Sequence, residues 1–113
     1  MKDQEKRIYE GMYILSASLS EEAIKKALSR ITDLIEQHQG EVHKVHEQGR
    51  KKLAYEINGH KQGYYFVLYF SVIPSAISEM WKEYHLNEDL IRFITLQAEK
   101  VEEKIEFQQL PEA

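Results

Sequence analysis

Asn58-Gly59-His60-Lys61-Gln62-Gly63-Tyr64-Tyr65-Phe66-Val67-Leu68-Tyr69-Phe70 is the stretch from which the whole chain can be read. Its first six residues make a polar, glycine-bearing turn, and the seven that follow are aromatic and β-branched at strand length. Upstream, Glu41 to Ile57 also has strand character, with Val42, Val45, Leu53, Tyr55 and Ile57 apolar, so the two runs make a hairpin. The apolar phase of the upstream run changes across Gly49, and a bulge there would reset it. The downstream run is apolar at nearly every position, whereas a strand with one wet face should alternate. Phe66, Leu68 and Phe70 form the more apolar phase and are expected against helices. Tyr65, Val67 and Tyr69 then lie on the opposite, open side, as candidate partner-binding residues with apolar rings and polar rims. The alternative is that the chain's own tail shields that face.

Before this hairpin, Ile8 to Leu15 is a β-branched and aromatic strand run ended by Ser16 to Ser20. Ile24, Ala27, Leu28, Ile31, Leu34 and Ile35 recur at helical spacing, predicting a helix from about Glu21 to His38. Ser20 is placed to cap it, Leu19 and Ile24 to staple its start, and Gly40 to stop it. After the hairpin, Pro74-Ser75 opens a second helix, with Ile77, Met80, Trp81 and Tyr84 on one face. Leu90 to Leu96 is a last strand. The order strand, helix, strand, strand, helix, strand is that of an α+β, ferredoxin-like βαββαβ sandwich, a four-stranded antiparallel sheet with two helices on one face. Residues 1–97 read as the folded domain and 98–113 as an acidic C-terminal tail.

The chain has 113 residues and a formal net charge of −4, and from Gln97 onward two lysines and five glutamates account for most of that charge. Such a balance argues against a generic high-affinity binder of polyanions. Within the body, cations gather at Arg50-Lys51-Lys52, with Lys61 nearby. The absence of cysteine excludes disulfides, zinc thiolates and thiol catalysis. With no long apolar run and a polar start from Met1 to Arg7, the expectation is a cytoplasmic chain with no membrane partner.

Catalytic chemistry is not suggested. His43 and His46 are the nearest histidine pair, and strand alternation would send them to opposite faces. No phosphate-binding glycine loop is present, and pairs such as Glu21-Glu22 and Glu88-Asp89 suit helix starts and solvent. No enzyme activity, metal, cofactor or small-molecule substrate is therefore expected. Gln62 to Tyr69 resembles the aromatic strand motif of RNA-recognition domains. It lacks the opening basic residue and the small fourth residue, and its stacking positions, Tyr64 and Phe66, fall on the helix-facing phase.

A more specific resemblance lies just upstream. Gln48-Gly49-Arg50-Lys51-Lys52-Leu53-Ala54-Tyr55-Glu56-Ile57, followed by Gly63-Tyr64-Tyr65, resembles the signature of the family of the sixth protein of the bacterial small ribosomal subunit. Tyr9-Glu10, Gly40 and Leu90-Ile91-Arg92 also fall where that family has them, and the likeness runs from about Arg7 to Gln97. Glu56 stands where the family usually has proline, which restores a backbone donor at the strand.

The resemblance implies a non-catalytic, ribosome-associated protein. Its partners would be the central domain of small-subunit ribosomal RNA and the eighteenth small-subunit protein, bound as a heterodimer that joins the RNA cooperatively. Carried over by position, Arg50, Lys51, Lys52 and Arg92 are the candidate RNA contacts, while Lys61 and Arg7 are added from charge alone. A near-neutral body with few cations should bind RNA weakly without a basic partner. The competing reading is a ferredoxin-like interaction or ligand-sensing module that homodimerises through its open sheet face.

Overall fold

The computed structural model describes residues 5–57 and 59–102. Its elements are β1 (Arg7–Ser16), α1 (Glu21–Gln37), β2 (Glu41–Ile57), β3 (His60–Val72), α2 (Ala76–His85) and β4 (Leu90–Gln97). The strands form one antiparallel sheet in the order β2-β3-β1-β4, which is the ferredoxin-like topology the element order predicts. Among the described residues no helix is long and apolar enough to cross a membrane.

The two phases of β3 divide as expected. Phe66, Leu68, Phe70 and Val72 join Tyr9, Tyr13 and Leu15 of β1 against Ile24, Ala27, Ile31 and Ile35 of α1 and Ala76, Met80 and Tyr84 of α2. Burying a large apolar side chain contributes roughly 1.5–3 kcal/mol, so this layer supplies the main driving force for folding. Tyr13 stacks on Phe66 with ring centroids 5.0 Å apart, and its hydroxyl is 2.8 Å from that of Tyr84, which pairs the two buried polar tips.

Ser20 caps α1 through its hydroxyl, which accepts from the Ala23 N–H at 3.2 Å. The helix closes one residue earlier than the glycine signal implies. Gln39 takes the left-handed conformation at φ 59°, while the Gly40 N–H donates to Ile35 and the Gln39 N–H to Glu36, a Schellman closure. Gly40 serves a different need. A Cβ there would stand 2.4 Å from Val72 Cγ1 and 2.6 Å from the Ser71 carbonyl, so its missing side chain lets α1 turn tightly onto β3. In α2 the buried stripe is Ala76, Met80 and Tyr84; Trp81 is 40 % exposed and donates its indole N–H to Thr95 Oγ1 at 3.1 Å.

The bulge expected at Gly49 is present: the β2–β3 register shifts between Glu47 and Gly49, and Gly49 has φ +84°. The hairpin is longer than the six-residue polar turn suggests. Ile57 pairs with His60, so Lys61, Gln62 and Gly63 belong to β3 and the connection closes over two positions, with Gly59 at φ +83°. β1 ends opposite Gly63, so the rest of the hairpin projects past the sheet as an arm.

Candidate nucleic-acid and partner interface

The sheet face opposite the helices is not open. Tyr65, Val67 and Tyr69 are 5 %, 6 % and 1 % exposed, and separate covers lie over Tyr65 and Tyr69. At the hairpin end, Leu53 and Ile57 of the arm pack on Ile14 and Tyr65, with Met12, Tyr55, Ile91 and Ile94 at the border of the cluster. Arg92 of β4 reaches into the same region, where its guanidinium donates to the Tyr55 hydroxyl at 3.0 Å and lies 5.9 Å from the ring centre. Burial pushes the Tyr65 hydroxyl pKa up, with the nearby Tyr55 adding to the effect. At the opposite end the chain that follows β4 returns across the sheet, and the His46 Nε2–H donates to the Glu102 carbonyl at 2.8 Å. Tyr69 lies beneath that crossing and donates to the Glu10 carboxylate. Shielding by the chain's own tail is thus the arrangement found for Tyr69. A module homodimerising through an open face loses its premise.

The basic run divides by strand alternation. Arg50 and Lys52 pair with Tyr64 and Gln62, on the helix-facing phase, whereas Lys51 pairs with Gly63 on the other. Arg50 reaches past Tyr64 of β3 to the β1–α1 loop. It donates from Nε to the Ala17 carbonyl at 3.3 Å and from Nη to the Leu19 carbonyl at 3.0 Å, with its guanidinium 5.9 Å from the Tyr64 ring centre. Burial, then the Glu47 carboxylate that Tyr64 bonds, push the Tyr64 pKa up. Lys52 and Lys61 are exposed and Lys51 is half-buried.

Arg92 pairs with Ile14, two residues from the end of β1 that faces Gly63, so it belongs to the same end of the molecule as Lys51, Lys52 and Lys61. Arg7 does not. It pairs with Val72 at the far end of β1, roughly 30 Å away at the rise of an extended strand. Five of the six sequence-derived cations therefore gather around the base of the hairpin arm, and Arg7 stands apart.

Two residues carry more than the sequence assigned them. Tyr55, one of the apolar positions of the strand run, presents its hydroxyl to Arg92. His46, singled out by the sequence only as half of a histidine pair, hydrogen-bonds the Glu102 carbonyl. The register shift between Val42 and Lys44 also breaks the alternation expected of the histidine pair. His43 shares a 2.6 Å hydrogen bond with Ser71 Oγ, so both rings reach groups of the same sheet face. Phe66 is buried against Tyr13, so the aromatic octamer does not offer the stacking platform of an RNA-recognition domain.

The family model for ribosomal protein S6 matches residues 8–97, the extent of the sheet and helices just described. The chain belongs to the ribosomal protein S6 family. It is 58 % identical to small ribosomal subunit protein bS6 of Protochlamydia amoebophila over 99 % of this chain and 98 % of that protein. Against bS6 of Chlamydia pneumoniae the identity is 57 %, over 99 % of this chain and all of the relative. Among solved structures, ribosomal protein S6 of Thermotoga maritima matches with a TM-score of 0.79 at 32 % identity, covering 83 % of this chain and 89 % of the other. Membership in the S6 family makes this a non-enzymatic component of the small ribosomal subunit, working beside ribosomal RNA and other ribosomal proteins in the bacterial cytoplasm.

Proposed function

We propose that this S6-family protein binds the central domain of small-subunit ribosomal RNA as a heterodimer with the eighteenth small-subunit protein. Residues 1–97 are the RNA-binding body in this reading, and 98–113 the acidic tail. The observation that supports it best is the gathering of Arg50, Lys51, Lys52, Lys61 and Arg92 at one end of a molecule whose net charge is −4. A local cationic patch attracts phosphate, and each phosphate it neutralises releases counterions. A handful of cations on an acidic protein provides little affinity alone. A basic partner seated beside the patch supplies the remaining charge, so RNA affinity arises on assembly. The arm beside these cations is packed onto the sheet through Leu53, Ile57, Ile14 and Tyr65, which suits recognition of RNA shape and phosphate positions more than bases.

The test is a titration of a labelled central-domain RNA fragment with this protein, with the eighteenth protein, and with both, at two salt concentrations. Tight, salt-sensitive binding that requires both proteins is expected. Equal binding by either protein alone would refute cooperative assembly, and no binding in any arm would refute the RNA target.

A further inference from the structure

The two covers over the sheet face differ in quality. The hairpin arm closes an apolar cluster in which Ile14, Leu53, Ile57 and Tyr65 are all buried. The crossing chain, Ala98 to Glu102, is a thin strap. At one end the Ala98 N–H donates to the Ile8 carbonyl at 2.9 Å, and at the other His46 donates to the Glu102 carbonyl. Between these points Glu99 and Lys100 are exposed, and a groove of about 310 Å³ remains between the strap and Glu10, Tyr69 and Leu96. The strap hides Tyr69 without filling the space beside it.

Its charge is also poorly matched to what it covers. The Tyr69 hydroxyl bonds Glu10 and feels the Glu102 carboxylate as well; after burial, these two raise its pKa. Lys100 pairs with Glu102 at 3.8 Å, within the strap itself. Lys44 of β2 lies cross-strand from Tyr69.

We propose that the trough running from Ile8 and Glu10 across Tyr69 to His46 seats an extended, cationic segment of the heterodimer partner, and that Ala98 to Glu102 occupies it in the free chain as a displaceable stand-in. This inference rests on the heterodimer reading above. The resident strap shows what the trough accepts: an extended main chain that gives an N–H to the Ile8 carbonyl and a carbonyl to His46. A lysine- or arginine-bearing replacement keeps both backbone bonds, brings a cation to Glu10 and removes Glu102 from the neighbourhood of Tyr69. It also has the groove beside Leu96 to fill.

Because the chain has no cysteine, Glu99→Cys takes a nitroxide label at a single exposed position. The free labelled chain should broaden the NMR signals of Tyr69 and His46 severalfold, and an equimolar amount of the eighteenth protein should restore them. Glu10→Gln, which keeps an oxygen acceptor for Tyr69, should weaken heterodimer formation about fivefold to tenfold at an unchanged urea midpoint. Broadening that persists in the complex, no broadening in the free chain, or unaltered affinity of Glu10→Gln would each overturn the exchange. Restoration by raising the concentration of this chain alone would assign the trough to a second copy and overturn it too. Failure of the unlabelled chain to bind the eighteenth protein would refute the heterodimer reading itself, and the exchange with it.

Discussion

Arg92 on β4 donates to the hydroxyl of Tyr55 on β2 at 3.0 Å, although these strands form opposite edges of the sheet. With neighbouring strands about 4.8 Å apart, a flat sheet would hold them roughly 14 Å from each other. The contact exists because the projecting part of the hairpin, carrying Leu53, Tyr55 and Ile57, folds back over Ile14 and Tyr65. A cation at one edge is thereby positioned by a residue of the other, and the patch proposed for RNA depends on that closure.

Tyr55→Phe removes the acceptor while leaving the ring under Arg92. The variant should be destabilised by about 1 kcal/mol, the ordinary net worth of one hydrogen bond. Arg92→Ala should cost a similar amount, and the double variant less than the sum of both, because the residues share one contact. Urea unfolding of the four proteins measures the coupling. Strict additivity would show that the contact contributes nothing in solution.

The basic run should act through salt. Replacing Arg50, Lys51 and Lys52 with alanine should lower the dependence of heterodimer–RNA affinity on log salt by about one unit per lost phosphate contact. Arg7→Ala, at the other end of β1, should leave the slope unchanged. Arg50→Ala alone should also loosen the β1–α1 loop, seen as faster amide exchange around Ala17 to Leu19, since the guanidinium bonds both carbonyls. A slope unaltered in the triple variant would remove these residues from the RNA contact.

Two glycines should respond to substitution for different reasons. Gly40→Ala forces a Cβ into Val72 and the Ser71 backbone, and it should cost about 2–3 kcal/mol by overpacking. Gly49 has open space around its Cα but a positive φ. Gly49→Ala should cost about 1 kcal/mol, and Gly49→Asn less, because asparagine tolerates that conformation. Thermal or urea unfolding distinguishes them; equal losses at both sites would contradict the steric account of Gly40.

The tyrosine pair in the core sets an alkaline limit. Burial raises the Tyr13 pKa well above 10 and pushes Tyr84 up to about 12. The folded state therefore retains protons that unfolded tyrosines lose near pH 10. The stability associated with the pair is fully present below pH 10 and declines as pH rises toward and past 12. Urea midpoints at pH 9 and pH 11 should differ for the wild type and differ less for the Tyr13→Phe, Tyr84→Phe double variant. Identical losses in both proteins would place the alkaline sensitivity elsewhere.

What the sequence determined by itself was local and periodic. The apolar spacing of Ile24 to Ile35, the Ser20 cap, the phase change at Gly49 and the division of β3 into Phe66-Leu68-Phe70 and Tyr65-Val67-Tyr69 all follow from interactions a few residues apart, as does the element order. Even there, local signals blurred where two causes compete. Gly40 read as the stop of the helix, but the close approach of Val72 requires it and Gln39 takes the positive φ. Tertiary structure alone decided what lies over the far face of the sheet. The arm and the strap reach Tyr65 and Tyr69 by sheet curvature and by a chain crossing that joins elements dozens of residues apart, and no periodicity encodes either. The same long-range geometry turned Arg50 toward the Ala17 and Leu19 carbonyls, brought Arg92 to Tyr55 and kept Arg7 at the far end of β1. Residue type marked these side chains as cations, and the closure of the fold determined which of them gather at one end of the molecule.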